Sequence, residues 1–287
     1  MRQVSIFDPA TPSNAIMDFT LREAERMWDG AEHRKRSIAQ VASFARFRDN
    51  LSRPMSQFLP RDIHDWRDSL VEQGVSRSTA NRYLASVSKV FNHAVDERVI
   101  NTAPRIKFYP TEPGRVRYFS DLEIEQMIQF FNERGDTWMN DMIVLALKTG
   151  MRKGEIIALG EGRASISECG DWIYLPADVT KTSEARYVPI SNPAARDCAI
   201  RIVRDLASQY TKKRFEHRWN LLKREYARTD DTYVFHVTRH NAASKMANEL
   251  QVPTVIVAEF LGHSSLKTTQ RYVHAKPETL RDISMQM

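Results

Sequence analysis

Six residues, far apart in the chain, carry groups suited to work on a phosphate ester. Arg152 precedes Glu155 by three positions in TGMRKGEIIAL. Lys181 lies in the polar triplet Thr180-Lys181-Thr182. His236 and Arg239 share the run HVTRH, which ends on His240. His263 follows a glycine in LGHSS, and Tyr272 stands nine positions later in TTQRYVH. A phosphodiester under attack gathers negative charge on its non-bridging oxygens. Two guanidinium forks, planar and permanently charged, are suited to clamp them. Imidazole binds such an oxygen or moves a proton near neutral pH. A tyrosine hydroxyl can be a covalent nucleophile. Its reference pKa is about 10, so nearby cations must help it ionise. A desolvated lysine among cations can protonate the leaving alkoxide. The set is complete for phosphoryl transfer through a tyrosyl ester without a metal.

Each piece also has an ordinary explanation. An Arg–Glu pair three apart is commonly a surface ion pair, and a turn lysine is commonly solvated. A tyrosine near a chain end commonly packs. His236, His240 and His263 could instead serve a metal-dependent nuclease, which chelation would inactivate. No tight carboxylate cluster suggests a two-metal site. Cys169 and Cys198 are too few for a cysteine zinc site or a disulfide framework. No metal and no cofactor is therefore expected.

The elements that must hold these residues read mostly as helices. Thr20-Leu-Arg-Glu23 looks like a capping box, and Gly30 like the end of the helix it opens. A second helix spans about 35–51. A third starts at Pro60, carries Ile63, Trp66 and Leu70, and stops at Gly74. A fourth starts at Ser76, with Leu84, Val87, Phe91 and Ala94 at helical spacing. Ser120-Asp-Leu-Glu123 is another capping box, ahead of an amphipathic helix that Gly135 ends. A buried helix over about 137–148 stops at Gly150, and a short one begins near Met151. The period then changes: Trp172–Leu175 and Arg186–Ile190 alternate as strands around the turn that bears Lys181. Helical patterns return from about 193. The fold class expected is mainly α with a small antiparallel β-sheet.

Four segments follow: a leader over 1–15, a helical domain over 16–101, a linker over 102–119, and a second domain over 120–287. The linker is rich in proline and holds Arg105, Lys107, Arg115 and Arg117 against Glu112. It reads either as a solvated connector or as a strap along a phosphate backbone. Charge is uneven: residues 1–119 hold 19 basic and 14 acidic residues (+5), residues 120–287 hold 23 and 22 (+1). The total of +6 in 287 residues favours an anionic partner such as nucleic acid. No apolar run is long enough to span a membrane, and no secretory signal opens the chain. A cytoplasmic protein is expected. A second basic run, 210–228, reads as a solvated helix or as a DNA contact.

The order Arg…Lys…His-x-x-Arg…Gly-His…Tyr resembles the tyrosine recombinase (phage integrase) family. TGMRKGEIIAL is similar to its first-arginine motif, HVTRHNAAS to its His-x-x-Arg box and LGHSSLKTTQRYVH to its second-histidine and tyrosine box. GVSRSTANRYLASVSKVFNHAV resembles its core-binding helical domain. The likeness implies a short member without the arm-binding domain. It implies Arg152, Lys181, His236, Arg239, His263 and Tyr272 as the catalytic set, with Glu155 and His240 in support. It further implies double-stranded DNA as partner, held between a helical core-binding domain and an α+β catalytic domain. Arg77, Thr79, Asn81, Arg82, Arg105, Lys107, Arg115 and Arg117 would then meet DNA, the first four at a helix start suited to phosphates. A homotetramer on paired attachment or core sites would integrate or excise mobile or phage DNA through a 3′-phosphotyrosyl intermediate. Two alternatives use the same surface: a type IB topoisomerase-like relaxing enzyme and a non-catalytic DNA-binding protein.

Overall fold

The structure, a computed structural model, describes residues 14–110 and 117–272. The leader up to residue 13, Arg115 and the tail from residue 273 lie outside the described residues. The chain divides into two compact units, Met1–Pro113 and Gly114–Met287.

The first unit is helical: α1 (Ile16–Met27), α2 (Ala31–Arg46), α3 (Pro60–Glu72) and α4 (Arg77–Asp96). Phe19, Phe44, Phe58, Trp66 and Phe91 fill its core. Pro60 occupies the first turn of α3, where a missing N–H does no harm. Ser76 caps α4, its hydroxyl accepting the Thr79 N–H at 3.2 Å. Three sequence expectations fail here. Thr20 does not start α1; its hydroxyl donates back to the Ile16 carbonyl at 2.6 Å, inside the helix. Gly30 does not end α1 but precedes α2 with φ 74°. The second helix also stops at Arg46 rather than near 51, because Arg48 and Asp49 turn left-handed.

The stretch 102–110 is extended, yet it is fastened to this unit. The Asn81 amide donates to the Tyr109 carbonyl and accepts the Tyr109 N–H, both at 2.9 Å. Arg67 donates to the Lys107 carbonyl at 2.7 Å, and the Lys107 N–H donates to His64 at 3.0 Å. The Tyr109 hydroxyl donates to Asp68.

The second unit contains α5 (Asp121–Glu133), α6 (Thr137–Thr149) and α7 (Lys153–Gly160). A sheet follows, of β1 (Ser165–Ile166), β2 (Trp172–Leu175) and β3 (Arg186–Pro189). The three strands lie in chain order and antiparallel, with Ile173 opposite Val188. The mainly α class with a small antiparallel sheet is therefore as expected; β1, two residues long, carries no alternation to read. Next come α8 (Pro193–Gln209), α9 (Lys212–Tyr226), α10 (Val237–Ser244), a π turn over Lys245–Glu249, α11 (Thr254–Leu261) and α12 (Leu266–Gln270). Ser120 and Glu123 form the reciprocal cap of α5. Helix α6 buries Met139, Met142, Ile143 and Leu145 at the centre of the core. The basic run on α9 is amphipathic: Phe215, Trp219 and Leu222 face inward, while Arg218 pairs with the buried Asp136 at 2.9 Å. Among the described residues no helix is long and apolar enough to cross a membrane.

Candidate active site

Four chain segments converge at the end of α11. Arg152 precedes α7, and the Glu155 side chain reaches back to cap that helix start. The Glu155 carboxylate accepts the Arg152 backbone N–H at 2.8 Å through one oxygen and its guanidinium at 2.7 Å through the other. The Glu155 side chain is 2% exposed, so this is a buried ion pair rather than a surface one. Burial pushes its pKa up, but Arg186, the Arg152 N–H and the Arg152 charge outweigh that and hold it below the usual carboxylate range.

Arg239, on α10, is 2% exposed. It has no carboxylate of its own. Its two terminal nitrogens donate to the carbonyls of Gly150 and Leu261, each at 2.6 Å. Desolvation, then repulsion from Arg152, push its pKa down to about 9. Arg152 in turn donates to the Gly262 carbonyl at 3.3 Å. Both glycines are required: each has a positive φ, and a Cβ would run into Leu261 at Gly150 and into Arg186 at Gly262.

His263 leaves the α11 cap with its N–H on the Ala258 carbonyl and its Nδ1 2.7 Å from the Thr269 hydroxyl. Burial, then Arg239 and Arg152, push its pKa down to about 4. His236 stands at the start of α10, open to solvent on one side. Desolvation of its ring, then the charges of His240, Arg239, Arg152 and Lys181, push its pKa down to about 4. His240 is lowered too, mainly by burial; its Nδ1 is 3.4 Å from the Arg117 carbonyl. Lys181 is exposed on the connection between β2 and β3, near enough for its charge to act on His236.

Tyr272 closes the cluster. It is 3% exposed. Its ring lies 6.3 Å from His263, nearly parallel, and 5.5 Å from His240. Asn248, in the π turn, donates to the Tyr272 carbonyl at 2.9 Å. Burial raises the phenol pKa; the charges of Arg271 and Arg239 oppose it. Among the described residues no three His, Cys, Asp or Glu side chains converge as a metal-ligand set.

The structure therefore brings together Arg152, Glu155, Lys181, His236, Arg239, His240, His263 and Tyr272. Sequence reading passed over Arg186, Thr269 and Asn248, which hold this group in place. An arginine inside a strand pattern was the only available sign of Arg186. The other expected DNA contacts lie in the first unit or near the linker. Arg77, Arg82, Arg105 and Lys107 are exposed, and Thr79 is half-buried. Asn81 spends its amide on Tyr109. Arg117 spends its guanidinium on Glu123 at 2.5 Å and Asp230 at 2.9 Å.

Residues 117–279 match the profile of the phage integrase family. The chain belongs to the phage integrase family. These are the tyrosine recombinases. A shufflon-specific DNA recombinase of Escherichia coli is 26% identical over 236 residues, 78% of this chain; the match spans 60% of that protein's own length. The tyrosine recombinase XerD of Oceanobacillus iheyensis is 24% identical over 77% of this chain and 80% of its own. Among solved structures, the Tn1549 transposon integrase in complex with circular intermediate DNA superposes with a TM-score of 0.73 at 17% identity. That match covers 94% of this chain and 99% of that one. A lambda integrase dimer bound to a core site gives 0.64 at 15% identity, over 90% and 95%. This phage integrase shares their fold.

Proposed function

We propose that this tyrosine recombinase cleaves and rejoins duplex DNA at specific sites through Tyr272, in the cytoplasm, as an integrase of mobile or phage DNA. One observation carries the reading. Arg152 and Arg186 share the one carboxylate of Glu155, Arg239 is buried against main-chain carbonyls alone, and the Tyr272 ring lies against His263 in the same cluster. Such a surplus of fixed positive charge is prepared for an anion that gathers charge during reaction.

The Tyr272 oxygen attacks phosphorus, a P–O bond to tyrosine forms, and the bond to the 5′ oxygen breaks. Arg152 and Arg239 bind the non-bridging oxygens. The phenol proton goes to an imidazole, His236 or His263, both neutral at pH 7; the negative charge of the bound phosphate raises their basicity so that they can accept it. Lys181 protonates the departing 5′ oxygen. A 5′-hydroxyl from a partner duplex then reverses the step, releasing Tyr272 with bond energy conserved. Exchange between two duplexes calls for a homotetramer on paired sites. Arg77, Thr79, Arg82, Arg105 and Lys107 would grip the DNA backbone. The E. coli shufflon recombinase and the DNA-bound transposon integrase support a DNA substrate.

The test is covalent trapping. A suicide duplex that loses its 5′-hydroxyl fragment should leave protein attached to the 3′ phosphate, and peptide mapping should place the attachment on Tyr272. Attachment elsewhere, or none on any cognate duplex, overturns the reading. Relaxation of supercoils with no recombinant product would transfer the protein to the topoisomerase alternative.

A further inference from the structure

Helix α11 ends on three consecutive carbonyls, and each is held by a different arginine. Phe260 accepts from Arg186 at 2.9 Å, Leu261 from Arg239 at 2.6 Å, and Gly262 from Arg152 at 3.3 Å. A helix C-terminus has unpaired carbonyls and a partial negative charge, so it suits cations. Two of these arginines belong to the proposed catalytic set. Arg186 does not. It comes from β3, its side chain is 11% exposed, and its other terminal nitrogen donates to Glu155 at 2.9 Å. Its Nε is buried with no hydrogen-bond partner among the described residues. The close approach at Gly262 is to this side chain: an added Cβ would lie 2.7 Å from both Cδ and Nε.

We propose that Arg186 is a positioning residue for strand cleavage, pinning Glu155 to the end of α11 and so fixing Arg152 and His263 relative to each other. This rests on the recombinase reading above. Glu155 uses one oxygen for the Arg152 guanidinium and the other for the Arg152 backbone and Arg186. Remove Arg186, and the carboxylate still caps α7 but no longer ties α7 to β3 and α11. The turn that presents His263, one residue past Gly262, then loses one of its three clamps. Arg186 also contributes charge: it is among the cations that oppose protonation of His263 and Arg239. A buried pair of this kind is weak evidence for stability, so its value is sought in geometry. Small displacements of a reacting group are costly, since about 1 Å can lower a rate by roughly 10²-fold.

Two variants separate position from charge. Arg186→Gln keeps a donor for the Phe260 carbonyl and loses the charge. Arg186→Lys keeps the charge but cannot reach both partners with a fork. We would measure covalent-adduct formation under single-turnover conditions on the suicide duplex, DNA affinity, and the NMR titration of His263. Adduct formation should slow by about 10–100-fold in both variants, with DNA affinity close to wild type. His263 should titrate higher in Arg186→Gln and stay depressed in Arg186→Lys. Wild-type adduct rates in both variants would overturn the proposal. So would rate losses that merely follow the folded fraction, with His263 unmoved in Arg186→Gln. If Arg186→Gln fails to fold, Arg186→Lys decides alone: slow cleavage at unchanged affinity supports the role, and normal cleavage refutes it. If the wild type itself forms no adduct, the recombinase reading falls, and an unmoved His263 in Arg186→Gln would still refute the electrostatic part of the role.

Discussion

In the first unit Arg26, Arg34, Arg48, Arg53 and Arg67 each lie against a nearby carboxylate, mostly where water reaches them. Around α11, Arg152 and Arg186 divide one carboxylate, Glu155, and turn to main-chain carbonyls for the rest, while Arg239 has carbonyls alone. Exposed pairs of the first kind contribute about 0–1 kcal/mol each and leave little field behind. The second arrangement keeps its charge. Carbonyl dipoles orient the guanidiniums without neutralising them, so the positive potential persists until an anion arrives. Burial first, and then that potential, depress the pKa values of His236, His263 and Arg239. Ion pairs that complete themselves build a scaffold, while cations left incomplete build a site.

The sharpest way to break this contrast is to remove the nucleophile and leave the charge. Tyr272→Phe deletes one oxygen from a ring that packs with Val257 and Leu261. DNA binding should persist and covalent attachment should vanish, both read on a labelled suicide duplex. Residual phosphotyrosyl product from the variant would show that another residue attacks.

Next in size is the division of labour among the cations. Arg152→Ala should lower the cleavage rate by about 10²–10³-fold, ~3–4 kcal/mol, as for loss of a donor to developing charge. Lys181→Ala should be as damaging on ordinary DNA. A 5′-bridging sulfur leaves as a thiolate without needing a proton, so that substrate should restore Lys181→Ala and not Arg152→Ala. Equal rescue of both would dissolve the distinction between charge clamp and acid. Failure to rescue Lys181→Ala would move the acid to another group.

The pH response is smaller and comes from burial together with the same field. His236 and His263 have folded-state pKa values near 4, against about 6.5 for an unfolded histidine. Between these limits the unfolded chain binds more protons, so stability rises with pH across the window. The melting temperature of the free protein should therefore fall as pH drops from about 6.5 towards 4. Replacing both histidines with asparagine should flatten that decline. Carboxylates held low by their partners, such as Asp230 at about 2, lose their contribution only as pH falls below about 4. A DNA phosphate reverses the local field, so binding at pH 6 should take up protons. Calorimetry in buffers of different ionisation enthalpy would detect this, and a buffer-independent heat would contradict it.

How much of this could be read from the chain differs between side chains and backbone. Arg152, His236, Arg239, His263 and Tyr272 announce themselves because motif spacing fixes which side chains share a helix start. The cap at Ser120 and the stop at Gly150 are equally local, and they stand as read. What supports the site is not local. The Phe260, Leu261 and Gly262 carbonyls have no signature, since every residue carries one. Arg186 gains its meaning only when β3 and α11 meet. Thr20 misleads because a threonine hydroxyl serves a helix start and a back-bond to the preceding turn equally well. Asn81 is ambiguous in the same way, since a polar side chain near a helix start suits a phosphate or the Tyr109 backbone.

That last ambiguity sets the smallest effect. Arg77, Arg82, Arg105 and Lys107 are exposed, and their charges are proposed to displace counterions from DNA. Each such contact contributes about −0.9 to the slope of log affinity against log salt. Arg105→Ala should therefore make the slope shallower by about 0.9, measured by fluorescence anisotropy over a salt series, with the tyrosyl chemistry intact at saturation. Asn81→Ala removes no charge and should leave the slope unchanged. Its effect belongs to the fastening of Tyr109: the 102–110 stretch loses both amide bonds and should become more open to proteolysis and faster in hydrogen exchange. A shallower slope in Asn81→Ala, with 102–110 still protected, would mean that Asn81 serves DNA after all. An unchanged slope in Arg105→Ala would place that charge away from the phosphate backbone and leave the grip to Arg77, Arg82 and Lys107.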